Sequence, residues 1–376
     1  MTTHAYPQRV PTAERGPAAL LARWPAWVAY AAAAWSLFYG LLGLFWTFGG
    51  GGFPFGVEQD PQADKVSILE HADPATAAPV IAGLGLAAAV AAAAIARTRA
   101  RHRFHLPLLV FAWALGALAI VIPDSRPLMA VARTPIVLGG MPFGWPDDVG
   151  FFEPGMFSWP VANQLLIIFG GLLWAGTALA FQRRVRGACA RCGRTAAASG
   201  WTTPAGAARW GRWAVGVAVT IPVLYALTRW AWALGIPLGV TSEFLREESR
   251  ETPGIWLAGA MLATVAVCGA ILTLGLIRPW GEVYPRSFPF LRGKPVRPRT
   301  AIIPGALVAI LVFTAGLHAI RAELLGYYPE NSELGEENWG TTAPGLLWPL
   351  WGAALGAAVL AYHLRRRAPC SRCGRP

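Results

Sequence analysis

The stretch "RWPAWVAYAAAAWSLFYGLLGLFWTFG", residues 23–49, carries no charge after its opening arginine, and the chain contains a second version of it. Displaced by 186 positions, it falls on "RWGRWAVGVAVTIPVLYALTRWAWALG", residues 209–235. Arg23 then meets Arg209, Trp24 meets Trp210, Trp27 meets Trp213, Tyr39 meets Tyr225, Trp46 meets Trp232 and Gly49 meets Gly235. Four aromatic identities in one window exceed what shared hydrophobicity produces. A repeat at this distance sets the architecture before any other feature is read.

Each copy is long enough to cross a bilayer, whose hydrocarbon core of ~30 Å needs about 20 helical residues. Other runs are equally apolar: "AGLGLAAAVAAAAIA" at residues 82–96 and "WLAGAMLATVAVCGAILTLGLI" at 256–277 contain no charge. The whole chain of 376 residues is 55% hydrophobic but only 14% charged, against roughly a quarter charged in soluble domains. The expected fold is an all-α membrane protein of eight transmembrane helices, near residues 26–48, 77–96, 105–123, 159–182, 213–235, 255–277, 301–320 and 346–364. The short run "LMAVARTPIVLGG", 128–140, is too brief to span and reads as an interfacial or re-entrant piece.

The net charge of +12 invites a nucleic-acid reading, but its distribution argues against one. With the N-terminus inside, the inner segments hold 25 of the 32 Lys and Arg, while 18 of the 20 acids fall in outer loops. The Lys/Arg bias is the orientation rule for membrane helices. It predicts cytoplasmic N- and C-termini, with attraction to anionic membrane lipid at the Arg-rich inner face as a by-product. That face also suits a cytoplasmic protein partner. No cleavable signal peptide is visible, because the first apolar run is too long for one. Thirty arginines against two lysines, Lys65 and Lys294, point to a GC-rich bacterial source and hence to a bacterial inner membrane.

"WP" opens the fourth span (Trp159, Pro160) and the eighth (Trp348, Pro349), and both spans leave through an arginine cluster. The chain therefore reads as a cytoplasmic tail (1–25), a first four-helix repeat (26–194), a linker (195–208) and a second four-helix repeat (209–376). Four is even, so both repeats enter the membrane with the same orientation and are parallel. After the first helix comes the turn "WTFGGGGFPFG", 46–56, shortened in the second half to "WALGIPLG", 232–239. On this turn each half resembles a family of four-helix membrane proteins of actinobacteria, which implies a membrane bundle but carries no activity.

Four of the five cysteines sit in two copies of Cys-x-x-Cys-Gly-Arg, "CARCGR" at 189–194 and "CSRCGR" at 370–375. Two intervening residues let both sulfurs reach one metal, and Gly193 and Gly374 permit the tight turn. A pair of such knuckles supplies the four ligands of a closed structural zinc site: Cys189, Cys192, Cys370 and Cys373. A reducing compartment disfavours permanent disulfides there. Iron, a redox thiol pair, or two independent pairs that engage another chain are the competing readings. Cys268, alone in the sixth span, reads as a small buried residue.

Ionisable groups inside spans are functional candidates, and Arg229 is the clearest. It either snorkels to the outer interface or forms, with Tyr225, a site for an anion or headgroup. Tyr39, Trp46 and Trp232 are further candidate ligand contacts, Trp46 and Trp232 being read first as interface anchors. Asn163 and Gln164 are expected to hydrogen-bond to neighbouring helices. The outer loops 140–157, with Asp147, Asp148 and Glu153, and 330–340, with Glu333, Glu336 and Glu337, read as an acidic rim. An alternative role for those loops is a lid or a cation site.

No Asp or Glu lies in mid-span, which disfavours ion-coupled transport. The one strong metal motif is of a closed kind with no open coordination position, which disfavours catalysis. The expectation is a non-catalytic sensor, scaffold or partner-binding module with a zinc clip. Facilitated transport of a small molecule or lipid is the alternative, and a membrane-embedded enzyme the second alternative.

Overall fold

A computed structural model describes residues 23–63, 67–98, 105–140, 158–195, 200–287, 290–325, 338–370 and 372–375. The helices are α1 (Trp24–Thr47), α2 (Pro74–Arg97), α3 (His105–Val121), α4 (Arg126–Gly140), α5 (Trp159–Val185), α6 (Pro204–Ala233), α7 (Ser242–Glu251), α8 (Ile255–Leu274), α9 (Arg299–Leu324), α10 (Trp339–Leu346) and α11 (Trp348–Arg366). Among the described residues there is no strand, only an isolated bridge between Val283 and Pro295. Seven stretches are long and apolar enough to cross a membrane, α10 and α11 counting as one. An eighth results if α3 and the start of α4, bent by 66° across a short break, form one span. This is a multi-pass membrane protein.

Membrane helices gain little from burying apolar surface against each other, so they pack where small residues let backbones approach. The α1–α2 contact is built this way. A Cβ on Gly85 would lie 2.6 Å from Gly40 Cα, and one on Gly43 would lie 2.6 Å from the Ala82 nitrogen. α1 also packs on α5, which in turn packs on α3. Polar groups pin these contacts: Tyr39 donates to Asn163 Oδ1 at 2.8 Å, and Trp174 Nε1 donates to Ser36 Oγ at 3.1 Å. In the second half α6 packs on α8 and α11, and α11 packs on α9. The order of neighbours is α2–α1–α5–α3 in one half and α8–α6–α11–α9 in the other.

The glycine-rich turn after α1 folds back over the helix end. Trp35 stacks on Tyr39 at 5.0 Å between centroids, Tyr39 meets Trp46 edge-on at 6.2 Å, and Trp46 meets Phe53 at 5.4 Å. Trp46 is 3% exposed as a result. In the second half Val240, Leu245 and Trp256 cover Trp232, also 3% exposed, and its Nε1 donates to Leu238 O at 2.9 Å. The expectation of interface anchors is therefore corrected: both indoles are interior, because the following turn closes on them instead of leaving them in the headgroup layer.

Other expectations shift too. α6 begins at Pro204, inside the stretch read as linker, because Thr203 caps it by accepting from Gly206 N at 3.1 Å and proline suits the first turn. Cys268 is exposed, not buried, because α8 packs chiefly on α6 and Cys268 lies off that contact. The short run 128–140 is helical, within α4. The break before it is closed by a buried polar cluster in which Gln164 Nε2 donates to Asp124 Oδ2 at 2.7 Å, and Arg126 pairs with both Asp124 (2.8 Å) and Asp60 (2.7 Å). The two halves meet at this end, where Arg321 of α9 donates to the carbonyls of Val121 and Pro123. The acidic residues of 141–157 and 330–337 lie outside the described residues.

Replacing Gly85 by valine drives a side chain into the backbone of α1, while Gly83, with nothing within 4 Å of its Cβ position, accepts one freely. Gly85→Val is expected to destabilise by about 1–3 kcal/mol and Gly83→Val to be near neutral, as read by thermal unfolding in detergent.

Candidate metal centre

α5 and α11 each run out of the membrane region through arginines and deliver the chain directly into a Cys-x-x-Cys-Gly-Arg turn. The two turns are built alike. In the first, Cys189 N donates to Arg194 O at 3.0 Å and Gly193 N to Cys189 O at 2.7 Å. In the second, Cys370 N donates to Arg375 O at 3.0 Å and Gly374 N to Cys370 O at 2.8 Å. Closing so short a loop needs a left-handed residue after the second cysteine, and Gly193 (φ +74°) and Gly374 (φ +68°) provide it.

The turns face each other. Cys189 Sγ lies 3.9 Å from Cys370 Sγ, and Cys192 Sγ lies 3.6 Å from Cys373 Sγ. All four sulfurs fall within 4.8 Å of one another, an arrangement compatible with a metal ion at their centre. A reciprocal bridge holds the faces in register: Arg194 Nη1 donates to Arg375 O at 3.1 Å, and Arg375 Nη1 to Arg194 O at 3.0 Å. Arg194 reaches Ala368 O as well, at 3.2 Å. Four sulfurs around a tetrahedral ion with metal–sulfur bonds of about 2.3 Å would be about 3.8 Å apart, so the two observed cross-pairs already sit near ligand spacing.

The local dipoles prepare the thiols unequally. Backbone N–H groups of Cys192 and Arg191 aimed at Cys189 bring its thiol down to about 6. Burial works against ionisation of Cys370, but the N–H groups of Arg372 and Cys373 outweigh it and the net direction is down. Burial pushes Cys192 up to about 11. One thiolate forms readily and a neighbour resists a second negative charge, which is the condition a cation relieves.

Sequence reading missed the side chains that anchor the turns. Arg183 stacks on Trp24 at 4.9 Å and packs so closely on the first knuckle that a Cβ on Gly193 would lie 2.8 Å from its Nε. Arg184 donates to Ile95 O (2.8 Å), at the C-terminal end of α2. Arg365 donates likewise to Leu276 O, just beyond α8. Carbonyls at helix ends lack partners within the helix, and a cation there also suits the helix dipole. The signal available was the double arginine before each knuckle. The Asp60–Arg126–Asp124–Gln164 cluster was missed as well, although Asp124 two residues before Arg126 at a helix start is a legible pattern.

The weaker ligand candidates divide into two clusters. Tyr39 and Trp46 lie in the closed aromatic core under the glycine turn. In the second half, Arg229 stacks over Trp232 at 4.0 Å and Tyr225 at 4.9 Å and donates to Gly340 O at 3.2 Å. Asn163 makes the interhelical bond expected of it, to Tyr39 of α1, whereas Gln164 bonds to Asp124 in the break between α3 and α4.

Comparisons with family models, curated proteins and solved structures give no match.

The spacing of the sulfurs has a direct consequence for a protein cut between the halves. With a protease site inserted between Thr195 and Gly200 and the metal removed by chelation, mild oxidation is expected to join the fragments through a Cys189–Cys370 or Cys192–Cys373 disulfide. The cut protein should run as one band on a non-reducing gel and as two after reduction. Two bands in both lanes would place the turns apart.

Proposed function

We propose that the chain is a tandem duplicate of one four-helix unit, with eight spans and its two copies parallel in a bacterial inner membrane. Both termini are cytoplasmic in this reading, and a zinc ion on Cys189, Cys192, Cys370 and Cys373 clips the copies into a non-catalytic sensor or scaffold. The observation that carries it is the convergence of four sulfurs from turns 181 residues apart to within 4.8 Å. The matching order of helix neighbours in the two halves supports the duplication, as do the equivalent positions of Tyr39 with Tyr225 and Trp46 with Trp232. The surplus of arginine beside the cysteines supports the orientation, since basic segments stay inside.

The four-thiolate donor set suits a closed tetrahedral site for zinc or iron, and zinc is proposed as the redox-silent ion for a holding role. Such a site has no open position for substrate, so its role is to hold. Facilitated transport fits less well, because relative movement of the halves is opposed at both ends: by the knuckle pair on one face and by Arg321 against the α3–α4 break on the other. The arginine-rich face around the clip is the surface offered to a cytoplasmic partner.

Elemental analysis of protein purified without added chelator is expected to find about one zinc per chain and no visible absorption from an iron–sulfur cluster. Cys373→Ser should lower zinc at least tenfold with helical content unchanged. A zinc content far below one per chain, or one that Cys373→Ser leaves intact, removes the clip from this reading.

A further inference from the structure

A cavity of about 430 Å³ opens in the second half, at the end of the helices nearest the cysteines. α8 walls it with Gly269 and Leu272, α9 with Ala301 and Val308, and α11 with Trp351 and Leu355. On α11 its lining runs from Trp351 to Tyr362, about 16 Å along the axis, so it reaches from the helix ends toward mid-membrane. Three polar side chains on the wall are already engaged within the protein. Tyr362 donates to Gly281 O at 2.7 Å, Thr273 to Gly269 O at 2.8 Å and Thr300 to Arg297 O at 2.7 Å. An elongated apolar slot of this kind, between helices that cross a membrane, suits a hydrocarbon chain and offers little to a sugar, nucleotide or ion.

Its mouth has the opposite character. Residues 278–299 carry Arg278, Arg286, Arg292, Lys294, Arg297 and Arg299 against a single acid, Glu282. That acid is already faced by Arg365 at 3.7 Å and Arg366 at 3.6 Å. The segment's described residues pair as a hairpin: Tyr284 N donates to Lys294 O at 3.1 Å, Val296 N to Glu282 O at 2.9 Å, and Arg366 ties Val296 O to α11 at 3.3 Å. Tyr284, Pro285 and Val296 of this hairpin line the cavity, so the basic collar and the slot are one construction. In the first half the corresponding helices are joined by residues 98–104 alone, too few for such a collar.

We infer that this is a site for one anionic glycerophospholipid of the leaflet on the cysteine side. One acyl chain fills the slot and the phosphate rests on the basic hairpin. The inference needs the helices to cross a membrane but not the metal.

The test uses the full chain in nanodiscs of equal phosphatidylglycerol and phosphatidylcholine, transferred to detergent and read by native mass spectrometry. The wild type is expected to retain about one phosphatidylglycerol. A Cβ on Gly269 meets nothing within 4 Å, so Gly269→Phe can place its ring in the slot without a clash, and it should cut retention at least tenfold. Gly216→Phe, at an equally open position away from the cavity, should retain lipid as the wild type does. Combining Arg292→Gln, Lys294→Gln and Arg297→Gln should abolish the preference for phosphatidylglycerol. Equal retention of the two lipids by the wild type, retention of none, occupancy by detergent instead, or undiminished retention in Gly269→Phe would each overturn the assignment.

Discussion

Four sulfurs cluster only when two Cys-x-x-Cys turns from distant parts of the chain arrive in register, and the helices that carry them are placed to deliver both. Each turn is a self-closed loop with its own backbone hydrogen bonds, so each can form without the other. Neither is more than half a coordination sphere. What brings them together is the placement of α5 and α11, each held at its cysteine end by an arginine on carbonyls at the end of α2 or just beyond α8. Arg184 and Arg365 thus connect the cysteine turns to the packing of the bundle. An error of a few ångströms in either helix would separate the sulfurs by more than a metal can bridge.

Much of this was legible because membrane burial imposes simple rules. Uninterrupted apolar length marked the spans, and the doubled CxxCGR marked the ligands. Internal alignment paired Tyr39 with Tyr225 and Trp46 with Trp232, and each pair proves equally buried. What failed to read depended on facing surfaces. Hydropathy does not tell an indole in the headgroup layer from one under a folded-back turn, so Trp46 and Trp232 were assigned to the wrong environment. Nor does it say which helix lies at the edge of the packing order, and that alone decides that Cys268 is exposed. The buried Asp124–Arg126 pair escaped because it lies at a break between helices, where a run-length criterion sees only the end of a span.

The halves are alike where they hold each other and unlike where they face something else. The knuckles, the arginine caps and the buried aromatics recur in both. The differences are Gly43 where the second half has Arg229, the extra glycines of the first turn, and the basic hairpin beside the cavity. Gly43 is constrained by a backbone contact with α2 that no side chain could enter, whereas Arg229 occupies a wider site lined by Tyr225 and Trp232. In a duplicated protein, features kept in both copies serve the common frame, and features found in one are free to acquire a ligand. In the proposed duplicate, the second half is the one that holds the cavity, the basic hairpin and Arg229.

The two ends at which the halves meet differ in kind. At the end away from the cysteines Arg321 rests on carbonyls of the α3–α4 break, which is itself braced by a buried ion pair, and nothing in that contact changes with metal or redox conditions. At the cysteine end the Arg194–Arg375 bridge is joined by four thiols with closely spaced sulfurs, a cluster stable when a cation balances it and repulsive when several thiols ionise without one. A body tied at one end by a permanent contact and at the other by a conditional one has a defined mode of motion. With a metal bound as proposed, its loss would loosen the cysteine ends while the ends at Arg321 stay together. In the proposed arrangement that opening would occur on the arginine-rich face, beside the basic hairpin, so metal occupancy, lipid contact and any partner on that face would act on the same end of the bundle.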